Sequence, residues 1–170
     1  IAILSVKSKN HTLGRDVILG VQEAVHRAEA DFKGLVVWHE APFAFGANLK
    51  EVTAAIKEAQ FDMLEGYIAE FQKASMCLKY AKVPVVVAAQ GMALGGGCEF
   101  VMHAAKRVVA LESYIGLVEA GVGLIPAGGG CKEFAIRAWQ SALKTGGNDP
   151  FEFIQPVFTN IAMAVVSKSA

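Results

Sequence analysis

Residues 84–105 read Pro84-Val-Val-Val-Ala-Ala89-Gln90-Gly91-Met-Ala-Leu-Gly-Gly-Gly97-Cys98-Glu99-Phe-Val-Met-His-Ala-Ala105, and their reading decides the fold. Pro84 to Ala89 is short, apolar and β-branched, the composition of a strand. Gly91 to Gly97 is a glycine-rich loop, and Cys98 to Ala105 leaves it as a helix. Working outward, Ile1 to Val6 and Gly34 to Trp38 read as buried strands. The second is uninterrupted enough for a parallel strand covered on both faces. Val17 to Ala30 carries apolar residues at helical spacing, with Asp16 as its N-cap. Leu49 to Ala81 predicts two helices with a break near Gly66. Arg107 to Leu111 predicts another buried strand, and Ser113 to Gly130 a long loop with one strand-like piece. Glu133 to Leu143 predicts a helix, Thr145 to Pro150 a break, and Pro156 to Val166 a last amphipathic helix. Strands alternate with helices, so an α/β protein of repeated strand–helix units with right-handed crossovers is expected.

A chain of 170 residues suits one domain with a proper core. At 54% apolar and 19% charged, disorder is excluded. Net charge is +0 with Lys and Arg dispersed, so charge gives no footprint for nucleic acid or an anionic membrane. The apolar runs are too short to span a bilayer, and no secretory leader pattern is present in this sequence. Cys77, Cys98 and Cys131 are odd in number and lack metal-ligand spacing, which points to a reducing, cytoplasmic setting. High apolar content at neutral net charge predicts self-association.

Three loops carry the chemistry. Phe43-Ala-Phe-Gly-Ala-Asn-Leu-Lys-Glu51 places glycine between a strand and a helix, where free N–H groups can meet a ligand; taken alone, the loop reads more readily as an ordinary strand–helix turn. Gly91 to Glu99 allows a close backbone approach and an anion-binding concavity, or simply tight helix–strand packing. It is not a dinucleotide fingerprint, because Phe100 stands where a third glycine is needed, and no P-loop Lys follows. Glu99 lies in the first turn of a helix beside apolar neighbours. There it is either a solvated acid favoured by the helix dipole or a desolvated acid–base group. Ile115 to Gly130 is long and almost wholly apolar around Glu119, which fits an exposed loop acid or a desolvated general base. Loops of this length in compact domains are usually functional.

Other chemistries find little support. His39-Glu40 lacks the second histidine of a zinc protease, since Phe43 occupies its place, and His11, His26 and His103 are scattered. No G-x-S-x-G elbow exists. Two carboxylates suit a glycosidase, but aromatic residues are 9% and the loops lack sugar-stacking Trp and Tyr.

The three loops together, in order and spacing, resemble the crotonase family. Phe43 to Glu51 is similar to its F-x-x-G-A-D-[LI]-K-E segment, and Ala93 to Glu99 matches A-L-G-G-G-C-E without change. Ile115 to Gly130 is similar to F-G-x-P-E-x-x-x-G-[LI]-x-P-x-x-G-G. The resemblance implies a crotonase spiral of ββα units over residues 1–145, with 146–170 beginning a C-terminal helical region that is largely absent. It implies an oxyanion hole from the backbone N–H groups of Ala47 and Gly96, and Glu99 and Glu119 as catalytic carboxylates. Phe45, Gly46, Ala47, Leu94, Gly95, Gly96 and Val118 would then line the thioester site. The implied reaction is hydration of a 2-enoyl-CoA in β-oxidation, with no metal and no cofactor beyond the CoA thioester. The alternatives are an isomerase, an acyl-CoA hydrolase, or a silent acyl-CoA-binding domain. A trimer-based homo-oligomer and a 3-hydroxyacyl-CoA dehydrogenase domain in the parent chain are also implied. Lys9 is a candidate contact for a CoA phosphate, or a plain solvated lysine. The sequence departs from the family at Asn48 for Asp, Val118 for Pro, the glycine order of Pro126 to Gly130, and Cys131-Lys132-Glu133 for a Thr-Gln-Arg-like run.

Overall fold

The computed structural model describes residues 1–146 and 149–168. Its elements run β1 (Ala2–Leu4), α1 (Arg15–Asp31), β2 (Leu35–Trp38), α2 (Leu49–Lys57), α3 (Phe61–Tyr80), β3 (Val85–Ala89), β4 (Met92–Leu94), α4 (Gly96–His103), β5 (Lys106–Val109), β6 (Tyr114–Gly116), α5 (Gly130–Lys144) and α6 (Phe151–Ala162). Short 3-10 turns occupy Lys9–His11 and Glu119–Val122.

Four strands form a parallel sheet in the order β1-β2-β3-β5, and β4 pairs with β6 in a second parallel layer. Each main-sheet strand is followed by a piece in the second layer and then a helix: β3-β4-α4 and β5-β6-α5. The stretch after β2 obeys the same rule, because Ala44 bridges Ala93 before α2 begins. This is the expected spiral of ββα units. Its core joins Ile18, Val21 and Val25 of α1, Phe71 and Leu78 of α3, and Val85 and Val87 of β3. Burying such side chains fully stabilises by about 1.5–3 kcal/mol each.

Several expectations are corrected. α1 is capped by Gly14, whose carbonyl accepts from the Ile18 N–H at 3.0 Å, so Asp16 lies inside the first turn. Gly66 lies within α3 with nothing near its Cα, where glycine costs only helix propensity. The break falls instead at 58–60, where Ala59 turns to φ +53°. The glycine loop contains β4, and α4 starts at Gly96 rather than Cys98. β2 alternates buried and open positions, with Trp38 44% exposed, so just one face of it is fully covered. β5 is an edge strand, bonded to β3 alone, and leaves Lys106, Arg107 and Val108 in solvent. α6 begins at Phe151 with Pro156 inside it; Pro156 leaves the Glu152 carbonyl without its helical donor on an exposed surface. The expected break at 145–150 includes residues 147 and 148, which lie outside the described residues. Among the described residues no helix is long and apolar enough to cross a membrane.

Candidate active site

The loop 43–47 is sewn to its neighbours by backbone bonds. Ala44 N–H donates to Met92 O and Leu94 N–H to Ala44 O, both at 2.9 Å, and Leu13 N–H donates to Gly46 O at 2.8 Å. Gly46 sits at φ +86°, and a Cβ there would stand 2.9 Å from Leu94 O and 3.2 Å from Gly96 N. A side chain is thus excluded where the two candidate oxyanion strands meet. Among the described residues, no backbone or side-chain acceptor engages the N–H of Ala47 or of Gly96. Asn48 caps α2: its side chain accepts from Lys50 N–H and donates to Glu51 Oε1 at 2.5 Å.

Gly95, at φ +53°, turns the chain into α4. The glycines also serve packing, since a Cβ on Gly97 would lie 2.7 Å from Ala44 Cβ, and one on Gly96 2.6 Å from Phe71 Cζ. Close approach and tight packing are therefore one arrangement here. α4 is buried throughout its length, which carries Glu99 inside at 2% exposure.

Glu99 Oε1 accepts from Gly130 N–H at 2.8 Å, and the N–H groups of Gly128 and Gly129 also favour its charge. Burial outweighs these donors, and with the nearby Glu119 carboxylate pushes the Glu99 acid up to about 7. Glu119 opens the 3-10 turn and is half-buried. Its Oε1 lies 3.2 Å from where a Cβ on Gly95 would stand, and its buried Oε2 has no protein partner. Burial raises this acid too, against the pull of its own N–H and that of Val118. Both carboxylates therefore border the Gly95–Gly97 loop, and burial raises both acids above their ordinary range.

The remaining candidates fall around this loop. Leu94 and Val118 are half-buried and Gly95 buried, while Phe45 is 41% exposed at the outer side of its loop. Lys9 is exposed in the first 3-10 turn. Beyond α2 lies a cavity of about 540 Å³, walled by Arg15, Glu51, Val52, Met63, Leu64 and Tyr67. Its volume is in the range of small-molecule sites.

The motifs did not mark three contributors. The N–H groups of 128–130 hold Glu99; the glycine run of the third loop was their signal. Tyr67 donates its hydroxyl to Leu13 O at 2.6 Å and receives the Asn48 N–H, propping the loop from behind. His103 is not a stray histidine: buried at 1% exposure, its Nδ1 donates to Glu99 O at 2.6 Å. Neither had a signal in local spacing.

The fold is the crotonase spiral of ββα units, and comparison with known proteins agrees. The family model for enoyl-CoA hydratase/isomerase matches residues 3–141. This chain belongs to that family. It is 40% identical, over its whole length, to a Bacillus subtilis (strain 168) protein named "Probable 3-hydroxyacyl-CoA dehydrogenase", of which it spans 21%. It is 32% identical over 65% of its length to a "Fatty acid oxidation complex subunit alpha" from Psychrobacter cryohalolentis, spanning 15% of that protein. The chain thus covers about a fifth or less of these curated relatives. Among solved structures, an enoyl-CoA hydratase from Polaromonas sp. JS666 superposes with a TM-score of 0.82 at 22% identity, covering 98% of this chain and 61% of that one. At that identity the likeness speaks for the fold.

Proposed function

We propose that this chain adds water across the 2,3 double bond of a 2-enoyl-CoA, serving fatty-acid β-oxidation within a longer polypeptide that also carries a 3-hydroxyacyl-CoA dehydrogenase. The observation that carries the reading is the pair Glu99 and Glu119, two desolvated carboxylates bordering one glycine loop with free N–H groups. Binding the thioester oxygen to the Ala47 and Gly96 N–H groups polarises the conjugated system. Glu99 orients a water, and with Glu119 withdraws one of its protons. The water oxygen bonds to C3, and the π electrons move onto the thioester oxygen as an enolate held by the two N–H donors. A proton from Glu119 then reaches C2 as the enolate collapses, so one water is consumed and no other reactant is needed. An acid near 7 is present in both forms at neutral pH, which suits proton transfer in either direction. The cavity between α2 and α3 offers room for the acyl chain. The exposed Trp139, Leu143 and Phe158 support assembly into a trimer-based oligomer of the whole, cytoplasmic protein.

The test is loss of the conjugated thioester absorbance of crotonyl-CoA with the full-length protein. Glu99→Gln and Glu119→Gln are each expected to slow it about 10²–10⁴-fold. Double-bond migration in a 3-enoyl-CoA without hydration would move the reading to an isomerase, and release of free CoA to a hydrolase. Acyl-CoA binding with no turnover would leave a silent binding domain.

A further inference from the structure

The run Cys131-Lys132-Glu133 has no part in the chemistry above, yet the structure buries Glu133 to 3% exposure. Glu133 Oε1 accepts from Lys79 Nζ of α3 at 2.5 Å and lies 3.1 Å from Lys132 Nζ and 3.6 Å from His103 Nε2. Lys132 Nζ is also 3.2 Å from His103 Nε2, so one ammonium bridges carboxylate and imidazole. Because His103 Nδ1 donates to Glu99 O, its Nε2 is the acceptor of a neutral ring. Burial holds that ring below its ordinary range, in agreement with a neutral tautomer. Burial alone would raise Glu133, but the bonds from Lys79 and Lys132 keep it ionised.

These contacts close a ring. Glu99 Oε1 takes the Gly130 N–H, Glu133 lies one turn further along α5, Lys132 and Glu133 lead to His103, and His103 returns to the main chain of Glu99. The imidazole rests directly on the turn that aims the N–H groups, since a Cβ on Gly129 would stand 2.8 Å from its Nε2. We propose that Lys132 and Glu133, acting through His103, are positioning residues that hold the N-terminus of α5 against the Glu99 carboxylate. The geometric part stands on these contacts; its kinetic consequence rests on the hydratase reading.

The groups facing Glu133 are Lys79 of α3, His103 of α4, and Lys132 and Arg137 of α5. Those facing Glu99 are Glu119, the N–H groups of 128–130, Tyr67, Cys98 and Cys131. A charge-conserving change isolates the geometry from these fields. Glu133→Asp keeps the charge and shortens the reach, whereas His103→Asn keeps a donor for Glu99 O and removes the side that meets Lys132. The Glu99 carboxyl is followed by ¹³C NMR through a pH titration, its signal assigned by its loss in Glu99→Gln. In both variants the midpoint is expected to rise by about half a unit or more, because the bond favouring the charged form loosens. In the hydratase assay kcat should fall while KM for the enoyl-CoA holds. An unmoved midpoint in folded Glu133→Asp overturns the proposal, and should that variant not fold, His103→Asn decides by the same criterion. A moved midpoint in a protein that does not hydrate crotonyl-CoA would sink the hydratase reading and leave the positioning role standing.

Discussion

Replacing Glu99 by glutamine should make the protein more stable at alkaline pH, and the gain can be worked from the site. Burial at 2% exposure takes the acid from an ordinary 4.5 to about 7. The folded protein therefore holds this proton more tightly than the unfolded chain does. Below pH 4.5 the group is protonated in both states and costs nothing; as pH rises through 7 the native state must bear a buried charge. At 1.36 kcal/mol per unit, that burden reaches about 3 kcal/mol at alkaline pH. Glutamine at 99 never ionises, and its amide oxygen can still accept the Gly130 N–H. The assay is urea unfolding of wild type and Glu99→Gln at several pH values from 4 to 9. The stability difference, variant minus wild type, should climb across the window from 4.5 to 7 and level off near that magnitude. A difference that stays flat across the whole range would refute the claim that Glu99 is desolvated and poised.

Three further outcomes are expected. Gly97→Ala puts a Cβ 2.7 Å from Ala44 Cβ and 3.0 Å from Ala44 O, so the loop 43–47 must shift; kcat on crotonyl-CoA should drop about 10²–10³-fold, the usual cost of an oxyanion donor. Tyr67→Phe removes the 2.6 Å bond to Leu13 O. It should cost about 1 kcal/mol in thermal unfolding and lower kcat more than it raises KM. Asn48→Asp exchanges the amide that donates to Glu51 for a second carboxylate. Tm should fall at neutral pH, as differential calorimetry would show.

Much of the architecture was legible because its signals are local. Val85 to Ala89 reads as a strand and pairs as one, and the three glycines after it are needed both for backbone approach and for packing on Ala44 and Phe71. The choice between a solvated and a desolvated acid at Glu99 and Glu119 was not legible. It is settled by which loop folds over them, and Gly130, which holds Glu99, lies 31 positions downstream of it. The same holds for Lys79 and Glu133, whose ion pair spans 54 residues. Misplaced boundaries share another cause. Gly66 is a helix breaker by propensity, but its cost is about 1 kcal/mol against the buried Phe71, Ala74 and Leu78 of α3, and Pro156 leaves its unpaired carbonyl partner on an exposed surface. Arg107 to Leu111 looked buried because its apolar content does not say whether a neighbour strand lies on its far side; as an edge, it keeps Lys106 and Arg107 outward, where charge discourages strand addition.

The two carboxylates differ in what holds them. Glu99 is embedded in a helix that is buried from end to end, and the Gly128–Gly130 turn closes on it. Glu119 stands on a short turn whose following residues, Gly121, Val122 and Gly123, are open to solvent. A change of shape at 99 therefore disturbs a packed helix, whereas a change at 119 falls on a half-buried turn. On the proposed reading, water addition can be retired or restored at one half-buried turn position without disturbing the buried helix that holds Glu99. On such a scaffold a new activity begins at the rim, without first unmaking the old core.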